Sequence, residues 1–207
     1  MPIVAPNPTN ILNTALARIG STERVTSFDD STSNSAKRAQ MIWDQLRRAL
    51  LVRHPWNFAV GRETLNEAST VPAFGWLHQY AIPATCLRWL PPAKGDDGYF
   101  EGEREGNYIL TNRVAPLPVR CIYDITDATK WSAGFVAAME VALAAFLASP
   151  VTESVALAQF LDNVATEAVR VGKRIDGLET GRRTRRPART ESAWLGARNR
   201  GSYGPDY

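Results

Sequence analysis

The chain has 207 residues, 44% of them apolar and 22% charged, and its 24 Lys and Arg against 21 Asp and Glu give a net charge of +3. That composition supplies apolar residues for one sizeable core or two small ones, and it excludes a wholly disordered polymer and a histone-like nucleic-acid coat. The charge is unevenly spread, because residues 181–207 hold seven Arg against Glu191 and Asp206 whereas residues 1–180 carry 17 basic and 19 acidic residues.

Residues 1–10 contain three Pro and no Lys or Arg, so the basic-then-apolar pattern of a signal peptide is missing and a cytoplasmic product is expected. Thr9 is the expected N-cap of a first helix, whose apolar residues Ile11, Leu12, Ala15, Leu16 and Ile19 recur at helical spacing until Gly20 offers a left-handed stop. A polar stretch at 27–35 supplies caps for a second, longer helix with Ala36, Ala39, Trp43, Leu46, Leu50 and Arg53 on one face, ended by Pro55. Lys37, Arg38, Asp44, Arg47 and Arg48 fall on its other face, expected to meet solvent or a partner.

Between 56 and 125 the apolar runs shorten, become aromatic or β-branched, and are punctuated by Gly and Pro. The pattern predicts strands at 56–65, 78–82, 86–90, 99–101, 108–111 and 119–125. Within this region residues 94–106 hold four glycines with Asp96, Asp97, Glu101, Glu103 and Glu105, which predicts an acidic hairpin tip or loop. Cys86 and Cys121 lie 35 positions apart without CxxC spacing, so buried free thiols are expected rather than a zinc ribbon.

Helical spacing returns at Trp131. The apolar stretch 133–148 is 16 residues long, short of the ~20 of a membrane span, and is expected to be a buried helix broken at Pro150. Thr152 is the expected N-cap of a last helix, with Glu153 in its first turn and a face of Val155, Ala158, Leu161, Ala165, Ala168 and Gly172, ending near Asp176 and Gly177. So short a connection predicts an antiparallel hairpin with an Ala-rich contact, either within one chain or between subunits. No coiled-coil heptad run or internal repeat is read. The expected organisation is α+β: a helical domain from residues 1–55 and 126–180, an inserted β-rich region at 56–125, and a disordered Arg-rich extension at 181–207, too poor in apolar residues to offset the cost of ordering.

None of the common catalytic or nucleotide-binding signatures occurs: there is no GxGxxG, GxxxxGK[ST], GxSxG, HExxH or EF-hand loop. Only His54 and His78 are available for imidazole chemistry, and His54 at a helix end is read as a cation near the C-terminal carbonyls. No catalytic residue, metal or cofactor is therefore expected. The alternatives are a peptidoglycan hydrolase using paired carboxylates, with Glu101, Glu103 and Glu105 alternating on one strand face, and a nucleic-acid-binding module using the basic tail. In that tail Arg182, Arg183, Arg185, Arg186 and Arg189 suit phosphates or an acidic protein surface, while Trp194, Tyr203 and Tyr207 suit pockets on a partner.

Five segments taken in order, NILNTALARIG (10–20), LRRALLVRHPW (46–56), HPWNFAVGRETL (54–65), WLHQYAIPATCLRWL (76–90) and IYDITDATKWSAGFVAAMEVALAAFLASPVTES (122–154), resemble the tail tubular protein A family, the head-to-tail adaptors of short-tailed bacteriophages. Thr85 departs from the pattern, since an acidic residue is common there in the family. The resemblance implies a structural virion protein, made in the host cytoplasm and placed in the virion tail. Twelve copies would form a ring with a helical body against the portal protein. A tail nozzle resembling tail tubular protein B would lie below, and genomic DNA would pass through the lumen without specific binding. It further implies portal docking by Arg182, Arg183, Arg185, Arg186, Arg189, Trp194, Tyr203 and Tyr207. Asp96, Asp97, Glu101, Glu103 and Glu105 would fall on the nozzle side or in the channel; no membrane and no cofactor is involved.

Overall fold

The computed structural model describes residues 5–94, 96 and 98–180 as an α+β fold of four α-helices and two small antiparallel sheets. Helix α1 (Pro8–Arg18) starts two residues earlier than expected: Pro8 occupies the first helical position and Asn7, not Thr9, caps it by accepting from the Asn10 N–H at 2.8 Å. The Thr9 hydroxyl instead accepts from the Phe28 N–H at 3.0 Å and holds the following loop. Gly20 provides the left-handed stop at φ 76°. Helix α2 (Asn34–Val52) is capped by Ser33 and buries Ala36, Ala39, Trp43 and Leu50 as the spacing predicts. Arg53 is exposed, however, and Arg47 turns inward to 2% exposure.

Arg47 is accommodated because two carboxylates meet it. Its guanidinium lies 2.9 Å from Asp124 Oδ1 and 2.5 Å from Asp44 Oδ1, and Arg48 Nε donates to Asp124 Oδ2 at 2.7 Å. A buried charge is tolerated only when paired and hydrogen-bonded. Helical spacing places Arg47 on the α2 surface, but only the tertiary fold supplies Asp124, 77 residues away.

Sheet A has the order β1 (Val60–Leu65), β6 (Leu117–Tyr123), β3 (Cys86–Leu90); sheet B has the order β2 (His78–Ala81), β5 (Tyr108–Thr111), β4 (Gly102–Glu105). One face of sheet A, with Val60, Leu90 and Ile122, packs on the helices. The other face, with Leu65, Cys86, Trp89, Val119 and Cys121, packs on Tyr80, Ile82, Phe100 and Ile109 from the sheet B side. The order of layers is thus helices, sheet A, sheet B. Both thiols are buried and free, as expected, and burial beside Cys86 pushes the Cys121 thiol well up.

β2 ends at Ala81, one residue short of its expected end at 82, and three further strands differ more from their sequence reading. The expected strand at 56–65 begins only at Val60, because Trp56 turns into the helical core and residues Asn57–Ala59 form a 3-10 turn. The strand expected at 99–101 lies instead at Gly102–Glu105, where it closes on β5 through a two-residue turn with Gly106 at φ 54°. Phe100 leaves the ladder to stack on Trp89, with ring centroids 6.1 Å apart. The last strand runs Leu117–Tyr123 rather than 119–125, since Leu117 pairs with Leu65 and Asp124 turns toward Arg47 and Arg48.

Helix α3 (Ala133–Thr152) passes through Pro150 without breaking. In the last turn a proline removes a single N–H, and the nearby carbonyls find other donors: Arg38 Nη1 donates to Pro150 O at 2.8 Å and the Thr152 hydroxyl to Ala148 O at 2.7 Å. Thr152 is therefore the end of α3, not an N-cap, and Glu153 closes it in the left-handed region at φ 56°. The cap of α4 (Val155–Glu179) is Ser154, whose hydroxyl accepts from the Leu157 N–H at 3.2 Å. At 20 residues α3 is long and apolar enough, by length and composition, to cross a membrane, so the length argument from 16 residues does not hold. Its buried residues, among them Phe135, Met139, Leu143 and Leu147, meet α1, α2 and α4 on different sides.

The α3–α4 hairpin is antiparallel and its contact is made within one chain. At Gly134 and Gly172 the two backbones touch: a Cβ added to Gly134 would lie 2.9 Å from the Gly172 Cα. Helix α4 continues past Gly177 because its end is tied to the entrance of sheet A. Buried Asp176 accepts from the Asn57 N–H at 3.0 Å and meets His54 Nε2 at 3.0 Å, while Asn57 Nδ2 donates to Asp176 O at 2.8 Å. His54 thus faces α4 rather than the carbonyls of its own helix. Around this junction Trp43, Trp56, Phe58, Trp131 and Phe135 form one aromatic cluster, with centroids 5.1 Å apart for Trp131 and Phe135 and 6.0 Å for Trp43 and Trp131. Trp43→Ala is expected to cost about 3–5 kcal/mol in urea unfolding at constant m; an unchanged midpoint would contradict this packing.

Candidate partner-binding surfaces

The acidic residues singled out from the sequence fall in two places. Asp96 sits in the turn after β3, where its carboxylate accepts from the Ala93 N–H at 3.2 Å, and it lines a pocket of about 360 Å³ with Arg62, Thr64, Leu90 and Arg120. Arg62 and Arg120 stand directly opposite each other on β1 and β6. Glu101, Glu103 and Glu105 lie on or beside β4, one of the two outer strands of sheet B, and all three are exposed. Alternation puts Arg104 on the opposite side, where Nε donates to Gly106 O at 3.1 Å. Asp97 and all eight residues expected to dock on the portal, Arg182, Arg183, Arg185, Arg186, Arg189, Trp194, Tyr203 and Tyr207, lie outside the described residues.

Beside the acidic edge is an apolar loop that sequence reasoning passed over. Between β1 and β2, Val71, Phe74 and Leu77 are 70%, 88% and 66% exposed, and Val114 after β5 is 67% exposed. The loop is held in place, not merely extended into solvent: Trp76 Nε1 donates to Glu103 Oε1 at 2.7 Å, and the Leu77 N–H donates to Asn112 Oδ1 at 3.1 Å. The Trp76 bond fastens this apolar tip to the acidic edge of β4. Its signal in the sequence is VPAFGWL at 71–77, an apolar run interrupted by Pro and Gly, which fits neither a helix nor a paired strand.

A second exposed apolar surface runs along α4. The residues Leu157, Leu161, Val164, Ala168, Val171, Ile175 and Leu178 alternate steps of four and three, the spacing of a heptad seam, which corrects the reading that no such run occurs. The face on α3 uses Leu161, Ala165, Val169 and Gly172, whereas Phe160, Val171, Ile175 and Leu178 remain 62%, 44%, 50% and 78% exposed. Val155, expected on the inner face, is 61% exposed.

Titratable groups here serve structure. The Tyr123 hydroxyl donates to Glu63 Oε2 at 2.6 Å, and burial together with that carboxylate pushes its pKa upward. His78 Nδ1 meets Glu67 Oε1 at 2.6 Å at the root of the apolar loop. Among the described residues no group of three or more His, Cys, Asp or Glu is arranged to hold a metal ion.

No protein-family model matches the chain, and no curated protein matches it. The geometry of the two surfaces is what bears on function. Phe74→Ser is expected to leave thermal stability within about 0.5 kcal/mol, as for other exposed positions, while lowering binding of an apolar dye. A fall of several degrees in Tm would show that Phe74 is part of the core.

Proposed function

We propose that this chain is a structural virion protein, the head-to-tail adaptor of a short-tailed bacteriophage, acting by assembly rather than catalysis. The observation that carries the reading is the ordered series of segments similar to the tail tubular protein A family. Two of them, HPWNF and KWSAGF, adjoin in three dimensions at the cluster of Trp56, Phe58, Trp131 and Phe135. In this reading twelve copies form a ring whose helical layer meets the portal protein. The sheet B end, with Phe74, Glu101, Glu103 and Glu105, faces the nozzle. Arg182, Arg183, Arg185, Arg186, Arg189 and Trp194 dock on the portal. Genomic DNA slides through the lumen, where acidic side chains such as Asp96 and Asp97 disfavour tight phosphate binding.

Two exposed apolar surfaces on different layers support the reading, since an adaptor meets partners at opposite ends and large exposed apolar patches mark such contacts. Cyclic assembly requires two different faces on each copy. Twelve weak contacts would then act together, so each tail need contribute little for attachment to be firm. The test is light scattering and negative-stain microscopy of the protein with and without portal, as the full chain and as a chain ending at Thr180. A portal-dependent ring of about twelve copies, with attachment weakened at least about tenfold by the truncation, is the expected result. A monomer indifferent to portal would overturn the reading.

A further inference from the structure

We propose that the open apolar stripe of α4 is the seat of the chain's own C-terminal segment, with Trp194 and Leu195 as its anchors. The inference goes beyond the adaptor reading and does not rest on it.

Helix α4 is covered by α3 along one side, leaving Phe160, Val171, Ile175 and Leu178 open. Exposure is greatest at Leu178, two residues before the described chain stops at Thr180. The 27 residues of 181–207 start there. Trp194 is 16 residues beyond Leu178. At up to ~3.3 Å per residue it can reach ~50 Å. Phe160, 18 residues back along a helix rising 1.5 Å per residue, lies only ~27 Å away. The tether therefore spans the whole stripe with slack.

A second copy of α4 is the competing occupant. The C-terminal segment has the advantage, because its covalent link to α4 gives it an effective concentration on the order of millimolar. The Arg-rich run 182–189 need only bridge to the Trp194–Leu195 pair, which supplies an aromatic and an aliphatic side chain for a stripe of Phe, Val, Ile and Leu. If the adaptor reading also holds, the segment that docks on the portal is stored on α4 until the portal competes for it.

The test is paramagnetic broadening in the full chain carrying Ser192→Cys with a nitroxide label, the native Cys86 and Cys121 being buried. Methyl signals of Val171, Ile175 and Leu178 are expected to fall below about half their diamagnetic intensity, with Ile109 in sheet B unaffected; adding Trp194→Ser should restore them. Equal intensities at all four residues would overturn the proposal. So would broadening of the same strength in a mixture of spin-labelled chains with separately isotope-labelled chains, where only contact between copies can act, which would assign the stripe to a second copy. Neither result depends on portal binding.

Discussion

The fold depends on one close approach. Gly134 of α3 and Gly172 of α4 bring two helix backbones together, and Trp56 lies against the same point: a Cβ on Gly172 would stand 2.9 Å from the Trp56 ring and 3.1 Å from the Gly134 carbonyl oxygen. Helices usually pack 8–10 Å apart, at a distance set by the side chains between them, so two facing glycines permit an unusually close contact. The indole fills the remaining space edge-on to Phe135, and its N–H donates to Leu50 O at 3.1 Å. Trp56 is the residue at which the chain leaves α2 for sheet A. The hairpin geometry therefore also fixes where the β-rich insertion starts.

Polar contacts reinforce the same joint from both sides. On one, Asp176 gathers His54 and Asn57 against the end of α4. On the other, Asp124 holds Arg47 and Arg48 as the chain comes back from β6. Both crossings between helices and sheets are thus held by buried or half-buried carboxylates whose partners lie on another element. Removing either partner alone would leave an uncompensated group in a poorly solvated place, the arrangement most costly to break. Away from the joint, the loop of Phe74 and the stripe of α4 present exposed apolar side chains.

Much of the helical part was legible because helical period is a strong signal: Ile11, Leu12, Ala15, Leu16 and Ile19 are all buried, and Trp43 lies where its spacing puts it. β3 and β5 also match their sequence boundaries. Some of the errors required knowledge of a distant partner. Arg47 looks like a surface residue until Asp124 is brought to it, and Gly177 like a stop until Asn57 and Thr180 hold the last turn; Pro150 looks like a break but falls in the last turn of α3, where the loss of one N–H is tolerated. The acidic set was seen as one loop because composition does not distinguish Asp96 in a turn from Glu103 bonded to Trp76 on an edge strand. The heptad spacing in α4 was obscured by a second apolar face overlapping it.

The most direct test of this construction compares two Gly→Ala replacements in α4 by thermal unfolding. In a helix interior such a change ordinarily stabilises by ~0.5–1 kcal/mol, and Gly177→Ala, with open space at its Cβ position, should behave so. Gly172→Ala should do the opposite, because the added methyl must push apart α3, α4 and Trp56, at a cost typical of an overpacked core, ~1–3 kcal/mol. A Tm lowered at 172 and raised at 177 is the predicted pair of results. A Tm raised equally by both would mean that α3, α4 and Trp56 do not meet as described, and the joint on which the account rests would be wrong.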